Sequence, residues 1–255
     1  MSVPACVLTV PGTNCHRETA DALEAAGAMP EIVHYNQLAD GSRRLAEYAI
    51  CAFPGGFADG DHIAAGRLLG MRLRTELAEE VTGYLAAGKA IVGICNGFQA
   101  LIESGLLPGG VIDGTDRRSA ALAPNKEGGF HCDWKDLEVV DSVCRFVSPD
   151  IMGRTIELQV AHGEGQFKMR ERSDYHSLAT NRQVVFRYCD SRGVTTEEFP
   201  DNPNGSPFGI TGICDPSGQV LGMMPHPERS IDERRFHPPY GLELFKQLVN
   251  YARQI

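Results

Sequence analysis

The sequence predicts an α/β protein with an open, mostly parallel twisted sheet that is flanked by helices and carries an antiparallel extension. As far as Gly105, short apolar runs alternate with helical patterns, which is typical of a parallel sheet with helices on both faces. From Val111 to Phe199, strand-like stretches are separated by polar and glycine-rich segments. This change of pattern indicates that mixed or antiparallel strands extend the sheet.

The composition favours a single domain over residues 1–255. Of the 255 residues, 42% are hydrophobic and 22% are charged. The net charge of -9 and the lack of a basic tract argue against nucleic-acid binding. The start of the chain does not resemble a signal peptide, and no apolar run approaches the ~18 residues of a membrane span. We therefore expect a cytoplasmic protein without a membrane segment.

The predicted strands of the parallel part are apolar runs that precede helical patterns. They are Ala5 to Val10, Glu31 to Tyr35, Tyr48 to Phe53 and Ala90 to Ile94. Apolar residues recur every four positions from Leu69 to Leu85, which predicts one long amphipathic helix. The charged stretch from Glu164 to Ser177 is expected to be a loop with a solvated surface. Ile210 to Cys214 and Val220 to Met224 form a predicted hairpin near the C-terminal end.

A cysteine stands between a predicted strand and a predicted helix. Cys95 follows the apolar run and lies between Gly93 and Gly97. This order matches a nucleophile elbow with cysteine in place of serine, a turn so tight that only glycine fits beside the nucleophile. The N-terminus of the helix also favours a negative charge at this point. A buried apolar role is the usual one for a free cysteine, but the two glycines favour a nucleophile.

A glycine pair, Gly55 and Gly56, follows the third predicted strand. Ligands of open α/β sheets bind beyond the carboxyl ends of the strands, so this loop and the elbow are expected side by side. Adjacent glycines can turn backbone N–H groups toward a ligand. An ordinary turn is the alternative. We predict an oxyanion hole with one N–H from Gly56 or its neighbour and one from Asn96.

His226 and Glu228 flank a single proline, Pro227, directly after the predicted hairpin. On an extended backbone, residues two apart point to the same side. A carboxylate bonded to one ring nitrogen would fix the tautomer and leave the other nitrogen for a thiol. Taken alone, His226 would be interpreted as a packed surface residue. Together with Cys95, the pair predicts a Cys-His-Glu triad.

The eight cysteines form no C-x-x-C pair and no zinc-like series with histidine. In a cytosolic chain of this size, that spacing favours reduced thiols. We therefore expect neither disulfides nor a metal site.

The segment Gly93-Ile-Cys95-Asn-Gly97-Phe-Gln99, followed far downstream by Pro225-His226-Pro227-Glu228, resembles the class I glutamine amidotransferase domain. Further segments narrow the resemblance to the PurQ-like glutaminase subunits of phosphoribosylformylglycinamidine synthase, an enzyme of purine biosynthesis. They are Pro11-Gly-Thr-Asn-Cys15, Pro54-Gly-Gly-Phe57 with Gly60-Asp61, His162-Gly-Glu-Gly165, Asn202-Pro-Asn-Gly-Ser206 and Met224-Pro-His-Pro-Glu-Arg229. The resemblance covers nearly the whole chain and is weakest from Lys168 to Arg182.

The resemblance implies a flavodoxin-like glutaminase fold and hydrolysis of glutamine. Cys95 would attack the side-chain amide and form a glutamyl thioester. His226 would carry the thiol proton to the departing ammonia, and Glu228 would orient His226. The expected contacts to bound glutamine are Gln99 and the backbone near His162 and Gly163.

The resemblance also implies partner subunits. Ammonia would pass to a PurL-like, ATP-dependent synthetase subunit that converts formylglycinamide ribonucleotide to formylglycinamidine ribonucleotide, and a small PurS-like subunit would bridge the two. The chain has no Gly-x-x-x-x-Gly-Lys-Ser/Thr loop. We therefore expect no cofactor in this chain, with ATP and Mg²⁺ used by the synthetase.

Three alternatives remain open at the level of sequence. The first is a stand-alone amidase or cysteine peptidase on a related elbow fold. The second is a regulatory α/β domain that binds a ligand without turnover, against which the intact Cys95, His226 and Glu228 argue. The third is the glutaminase of a different biosynthetic enzyme.

Overall fold

The computed structural model describes residues 2–116, 118–235 and 238–255. The strands in this part are β1 (Val3–Thr9), β2 (Ala28–His34), β3 (Ile50–Phe53), β4 (Ala90–Ile94), β5 (Ala120–Pro124), β6 (His131–Val139), β7 (Thr155–His162), β8 (Glu164–Met169), β9 (Val184–Tyr188), β10 (Ile210–Cys214) and β11 (Val220–Met223). The helices are α1 (His16–Ala25), α2 (Tyr35–Ala39), α3 (Arg67–Glu76), α4 (Ala78–Ala86), α5 (Asn96–Ser104), α6 (Arg172–Thr180) and α7 (Tyr240–Ala252). None of the helices in these ranges is long and apolar enough to cross a membrane.

A nine-stranded sheet forms the centre of the molecule, in the order β2-β1-β3-β4-β11-β10-β9-β6-β7. The strands from β2 to β11 in this order pair in parallel. The strands from β11 to β7 pair in antiparallel fashion. The predicted α/β fold, with a parallel sheet and an antiparallel extension, is confirmed. A separate two-stranded sheet joins β5 and β8.

Strands β4 and β11 are the pair that positions the site. All residues of β4 are buried, as expected for a parallel strand that is covered on both faces. Strand β11 runs parallel to β4, and Met223 pairs with Ile94 at their carboxyl ends. The chain that leaves β4 therefore starts at the same level and the same edge of the sheet as the chain that leaves β11. Cys95 follows the first strand and His226 the second.

The prediction of one helix from Leu69 to Leu85 is wrong, because the structure contains two helices, α3 and α4, that meet at Leu77. Leu77 has φ -117° and ψ 11°, outside the helical region. An α-helix turns about 400° in four residues, so a strict four-residue repeat drifts by about 40° at each step. The interruption lets Leu73 and Val81, on either side of Leu77, both stay buried.

The prediction of a loop from Glu164 to Ser177 is also wrong. Strand β8 and most of helix α6 occupy this range. β8 pairs with β5, and Phe167 in its centre is fully buried. The side chains of Glu171 and Asp174 form a capping box at the start of α6. Most of the charged residues are exposed, as expected. The short buried segment of β8 beside them was not recognised in the sequence.

Candidate active site

Cys95 lies in a sharp turn between β4 and α5. Its φ of 51° and ψ of -105° lie in a region that residues other than glycine rarely adopt. A methyl group on Gly97 would lie 1.9 Å from the carbonyl oxygen of Phe53, and one on Gly93 would lie 2.5 Å from Cδ1 of Leu101. Both glycines are therefore required by close packing around the turn. The backbone at Cys95 has the geometry of a nucleophile elbow.

His226 and Glu228 form a buried pair. Nδ1 of His226 lies 2.6 Å from Oε1 of Glu228, and the residues are 1% and 2% exposed. The connecting backbone is a 3₁₀ turn over Pro227–Arg229, not the extended segment on which the sequence argument relied. The turn still places both side chains on one side. Within the described ranges, Nε2 of His226 and Oε2 of Glu228 have no hydrogen-bond partner.

Burial opposes a positive charge on His226, but the surrounding charges outweigh it. The carboxylate of Glu228 and the sulfur of Cys95 favour the imidazolium. The pKa of His226 is therefore held well above its ordinary value of 6.5. A base with a raised pKa readily accepts a proton from a nearby thiol.

Cys95 faces a cavity of about 370 Å³. Its sulfur donates a hydrogen bond to the carbonyl oxygen of Ala161 at 3.5 Å, and the residue is 6% exposed. Most of the predicted site residues line this cavity, namely Cys95, His226, Gly56, Gln99, His162 and Gly163. Larger cavities of about 650 and 860 Å³ lie elsewhere and contain none of them. The chemistry therefore identifies the smaller cavity as the candidate site.

The glycine loop after β3 packs directly against His226 and Cys95. A methyl group on Gly55 would lie 2.7 Å from Cε1 of His226 and 3.4 Å from Cβ of Cys95. Gly56 has φ 142°, which residues with a side chain rarely adopt, and a methyl group there would lie 2.7 Å from the backbone nitrogen of Asn14. Residues with larger side chains at these two positions would therefore collide with His226 or with the backbone of Asn14.

The side chain of Asn96 joins helix α5 to the loop that follows the glycine pair. Its Oδ1 accepts the N–H of Ala58, and its Nδ2 donates to Oδ1 of Asp61 and to Oε1 of Gln99, each at 2.9 Å. Gln99 in turn donates to the backbone oxygen of Glu164. Gln99 is 5% exposed, so it is not a solvent-facing helix residue. Its carboxamide links α5 to the first residue of β8.

The imidazole of His162 belongs to a buried polar network. Its Nδ1 lies 3.0 Å from Oδ1 of Asn125, and its Nε2 lies 3.4 Å from the hydroxyl of Tyr188. Asn204 donates to the same hydroxyl, which connects the Asn-Pro-Asn-Gly-Ser segment to the site. Burial, with a contribution from His226, lowers the pKa of His162 to about 3. The ring is neutral and fully engaged, so the backbone at this position is the part available to a ligand.

The chain is similar to known proteins over nearly its whole length. The model of the CobB/CobQ-like glutamine amidotransferase domain matches residues 2–252. The chain is 41% identical to the phosphoribosylformylglycinamidine synthase subunit PurQ of Methanococcus maripaludis, over 96% of this chain and 88% of that protein. It is 39% identical to PurQ of Dehalococcoides mccartyi, over 99% of each. These matches decide the family.

The chain belongs to the CobB/CobQ-like glutamine amidotransferase family. Among solved structures, it resembles a chain in the structure of PurLQS from Thermotoga maritima. The TM-score is 0.74 at 33% identity, and the match covers 98% of this chain and 99% of that one. The resemblance inferred from the elbow and the His-Pro-Glu segment is confirmed.

Two groups at this amidotransferase site were not predicted. Cys15 is 3% exposed, and its sulfur lies 3.4 Å from Nη2 of Arg229. Asp61 lies at the cavity, where burial and the charge of Glu164 raise the pKa of its carboxyl. In the sequence, Cys15 was considered only as part of the Pro11-Gly-Thr-Asn-Cys15 segment that carries the family resemblance. Its position just after the first strand, at the edge where ligands bind, was the available signal.

Proposed function

We propose that the chain is the glutaminase subunit of phosphoribosylformylglycinamidine synthase. It hydrolyses glutamine to glutamate and ammonia, and the ammonia is used to form formylglycinamidine ribonucleotide. The observation that carries the proposal is the placement of Cys95, on a strained elbow, in one cavity with the buried His226–Glu228 pair. The similarity to PurQ subunits supplies the reaction in which that chemistry is used.

The triad performs acyl transfer to sulfur. Cys95 attacks the side-chain carbonyl carbon of glutamine, and His226 takes the thiol proton. The N–H groups of Gly56 and Asn96 hold the negative oxygen, each contributing about 3 kcal/mol to transition-state stabilisation. As the C–N bond breaks, His226 passes the proton to the leaving nitrogen. Water, deprotonated by His226, then cleaves the thioester and restores the thiol.

The remaining site residues orient the parts that react. Glu228 holds Nδ1 of His226, so the other ring nitrogen is the one that exchanges protons. Gln99 and the backbone of His162 and Gly163 line the cavity around the substrate. The Asn96–Gln99 bond couples the oxyanion donor to this part of the pocket.

The product ammonia passes to a PurL-like synthetase subunit that uses ATP and Mg²⁺, and a small PurS-like subunit joins the two. A chain similar to this one occurs in the structure of PurLQS. On this proposal, residues 1–255 form one glutaminase domain that needs no cofactor of its own and acts in the cytoplasm. Nothing in its chemistry requires ATP, because the thioester forms and breaks by proton transfer alone.

The first test measures glutamate release from glutamine by the purified chain, with and without the synthetase from the same organism. Activity that rises with the synthetase and disappears in Cys95→Ala is expected. High activity that does not change when the synthetase is added would instead indicate a free amidase. Absence of activity in both conditions would indicate a binding domain.

A second test separates the nucleophile from the fold. In the assembled synthase, Cys95→Ser is expected to abolish glutamine-dependent synthesis while leaving ammonia-dependent synthesis intact, since external ammonia bypasses the thiol. Loss of both reactions would show that Cys95 has only a structural role.

A further inference from the structure

The segment that follows the glycine pair, residues 57–65, carries the most exposed large apolar side chain in the described part of the chain. Ile63 in this rim segment is 80% exposed. Phe57, Asp61 and Ala65 of the same segment line the candidate active-site cavity. We propose that the rim segment is the docking element for the synthetase subunit that receives the ammonia, with Ile63 as its main contact. The inference rests on the proposed function.

The backbone of the rim segment is strained at Ile63. Its φ is 76°, a value at which a β-branched residue is a genuine outlier. Asp59 and Asp61 also have positive φ, at 54° and 52°, so half of the six such residues other than glycine in the described ranges lie here. Strain of this kind persists where the surrounding structure or a function requires it. Packing within the chain does not account for it at a side chain as exposed as Ile63.

The exposed apolar surface extends around the opening of the cavity. Phe57 and Phe130 both line the cavity, and they are 48% and 57% exposed. Single exposed apolar residues are normal on a protein surface, but several at one opening mark an interaction site. Aromatic side chains are also enriched at protein interfaces. The rim therefore has the composition of a surface that another protein covers.

The chemistry of the cavity selects the occupant of this surface. Cys95 faces the cavity, so the ammonia released from glutamine is set free inside it. A protein that covers the rim keeps the ammonia from solvent. A second copy of this chain would close the cavity without consuming the product, whereas the ammonia-using synthetase would do both.

The inner side of the rim segment is bonded to the helix of the elbow. Asn96 accepts the N–H of Ala58 and donates to Oδ1 of Asp61. Ile63 lies two residues beyond Asp61, and the segment begins directly after Gly56. A contact on Ile63 is therefore transmitted to both backbone segments of the proposed oxyanion hole. Docking should thus raise glutaminase activity as well as hold the subunits together.

The first test measures the affinity of the full-length chain for the synthetase, in the presence of the small bridging subunit, by isothermal titration calorimetry. We expect Ile63→Ser to weaken binding at least tenfold, because buried apolar anchors carry most of the energy of an interface. The matched control is Ile32→Ser, the same change at a 45% exposed position in β2, which should bind as the wild type does. A wild type that does not bind, or equal affinity of Ile63→Ser and wild type, would overturn the proposal.

Glutamate release is measured in the same mixtures, relative to each protein's own rate without the synthetase. At the synthetase concentration that half-saturates the wild type, stimulation should be at least fivefold smaller in Ile63→Ser. At saturating synthetase, its stimulated rate should still lie below that of the wild type, and a full rate would refute the transmission to the oxyanion hole. If the wild type releases no glutamate, the proposed function fails, whereas the calorimetric comparison still decides the docking.

A pair of variants tests the strain in the isolated chain. Glycine adopts a φ of 76° freely and alanine does not. The urea midpoint of Ile63→Gly should therefore be at least as high as that of Ile63→Ala, although alanine is otherwise the more stabilising residue. Both variants should bind the synthetase as weakly as Ile63→Ser. A clearly higher midpoint for Ile63→Ala would overturn the strained conformation on which the proposal depends.

Discussion

Nδ2 of Asn96 lies 2.9 Å from Oδ1 of Asp61, and this bond ties the helix of the elbow to the loop that follows the glycine pair. The oxygen of the same carboxamide accepts a hydrogen bond from the N–H of Ala58. One side chain therefore holds together the two backbone segments that are proposed to supply the oxyanion hole. The side chain of Asn96 holds these segments, whereas its backbone N–H is the proposed oxyanion donor.

Replacement of Asn96 by alanine should separate these functions. Asn96→Ala retains the backbone donor but leaves the N–H of Ala58 without its partner, and an unpaired buried group costs about 1–3 kcal/mol. We expect a lower free energy of unfolding in urea and a lower kcat for glutamine. Asn36→Ala, at an exposed position, is the control and should change stability by less than about 0.5 kcal/mol. Unchanged kcat in Asn96→Ala would mean that the side chain does not hold the loop.

The two members of the His226–Glu228 pair should differ in their effect on rate. His226→Ala removes the proton carrier and should lower kcat for glutamine hydrolysis by about 10²–10⁴-fold. Glu228→Gln keeps a hydrogen-bonding side chain of the same shape, so the loss should be smaller. Steady-state kinetics on both variants measures this difference. Equal losses would contradict the orienting role of Glu228.

The raised pKa of His226 also predicts how stability depends on pH. A histidine whose pKa is higher in the folded state stabilises that state below pH 6.5 and loses this contribution as pH rises through the folded-state pKa. Glu228→Gln removes the main charge that raises this pKa. The difference in unfolding free energy between wild type and Glu228→Gln should therefore shrink as pH increases above 6.5. A difference that grows with pH would contradict this assignment.

His162 should make the protein sensitive to acid. Its pKa is about 3 in the folded state, so the unfolded chain binds the extra proton once pH falls below 6.5. Stability is lost as pH falls, and linkage gives a loss of about 1–2 kcal/mol between pH 7 and pH 5. His162→Gln should reduce this slope in urea unfolding, whereas His176→Gln, at an exposed position, should not. An unchanged slope in His162→Gln would show that the ring is protonated in the folded state.

Two glycines provide a matched test of the elbow. Gly97→Ala would place a methyl group 1.9 Å from the carbonyl oxygen of Phe53, so we expect loss of stability by several kcal/mol and loss of activity. Gly83 lies in helix α4 and has no atom within 4 Å of an added methyl group. Gly83→Ala should stabilise the protein by about 0.5–1 kcal/mol through helix propensity. Thermal and urea unfolding compare the two, and a tolerated Gly97→Ala would refute the packing argument.

The parts of the fold predicted from sequence are those with strong local signals. The run from Ala90 to Ile94 is apolar throughout and is followed by the Gly-Ile-Cys-Asn-Gly order, so both the central strand and the elbow were predictable. Strand β8 was missed because its three buried residues, Gly165, Gln166 and Phe167, are consecutive and only Phe167 is a large apolar residue. Its stability comes from pairing with β5, which a local pattern does not reveal.

The candidate site was likewise predictable from the sequence only in part. The spacing of His226 and Glu228 revealed the pair, although the turn between them differs from the extended form assumed. The position of Cys15 after the first strand indicated the edge of the sheet where it lies, but not its contact with Arg229 at the other end of the chain. The network around His162 is likewise made of residues that are distant in sequence, so only the folded structure shows that its ring is engaged.

The parallel pairing of β4 with β11 has a consequence for how the protein is made. During synthesis, Cys95 emerges from the ribosome long before β11 (Val220–Met223). Until β11 emerges, β4 lacks this neighbouring strand, and His226, which follows β11, is also absent. A nascent chain therefore contains the proposed nucleophile without the proposed base. If these roles hold, ammonia release can begin only after β11 has inserted beside β4.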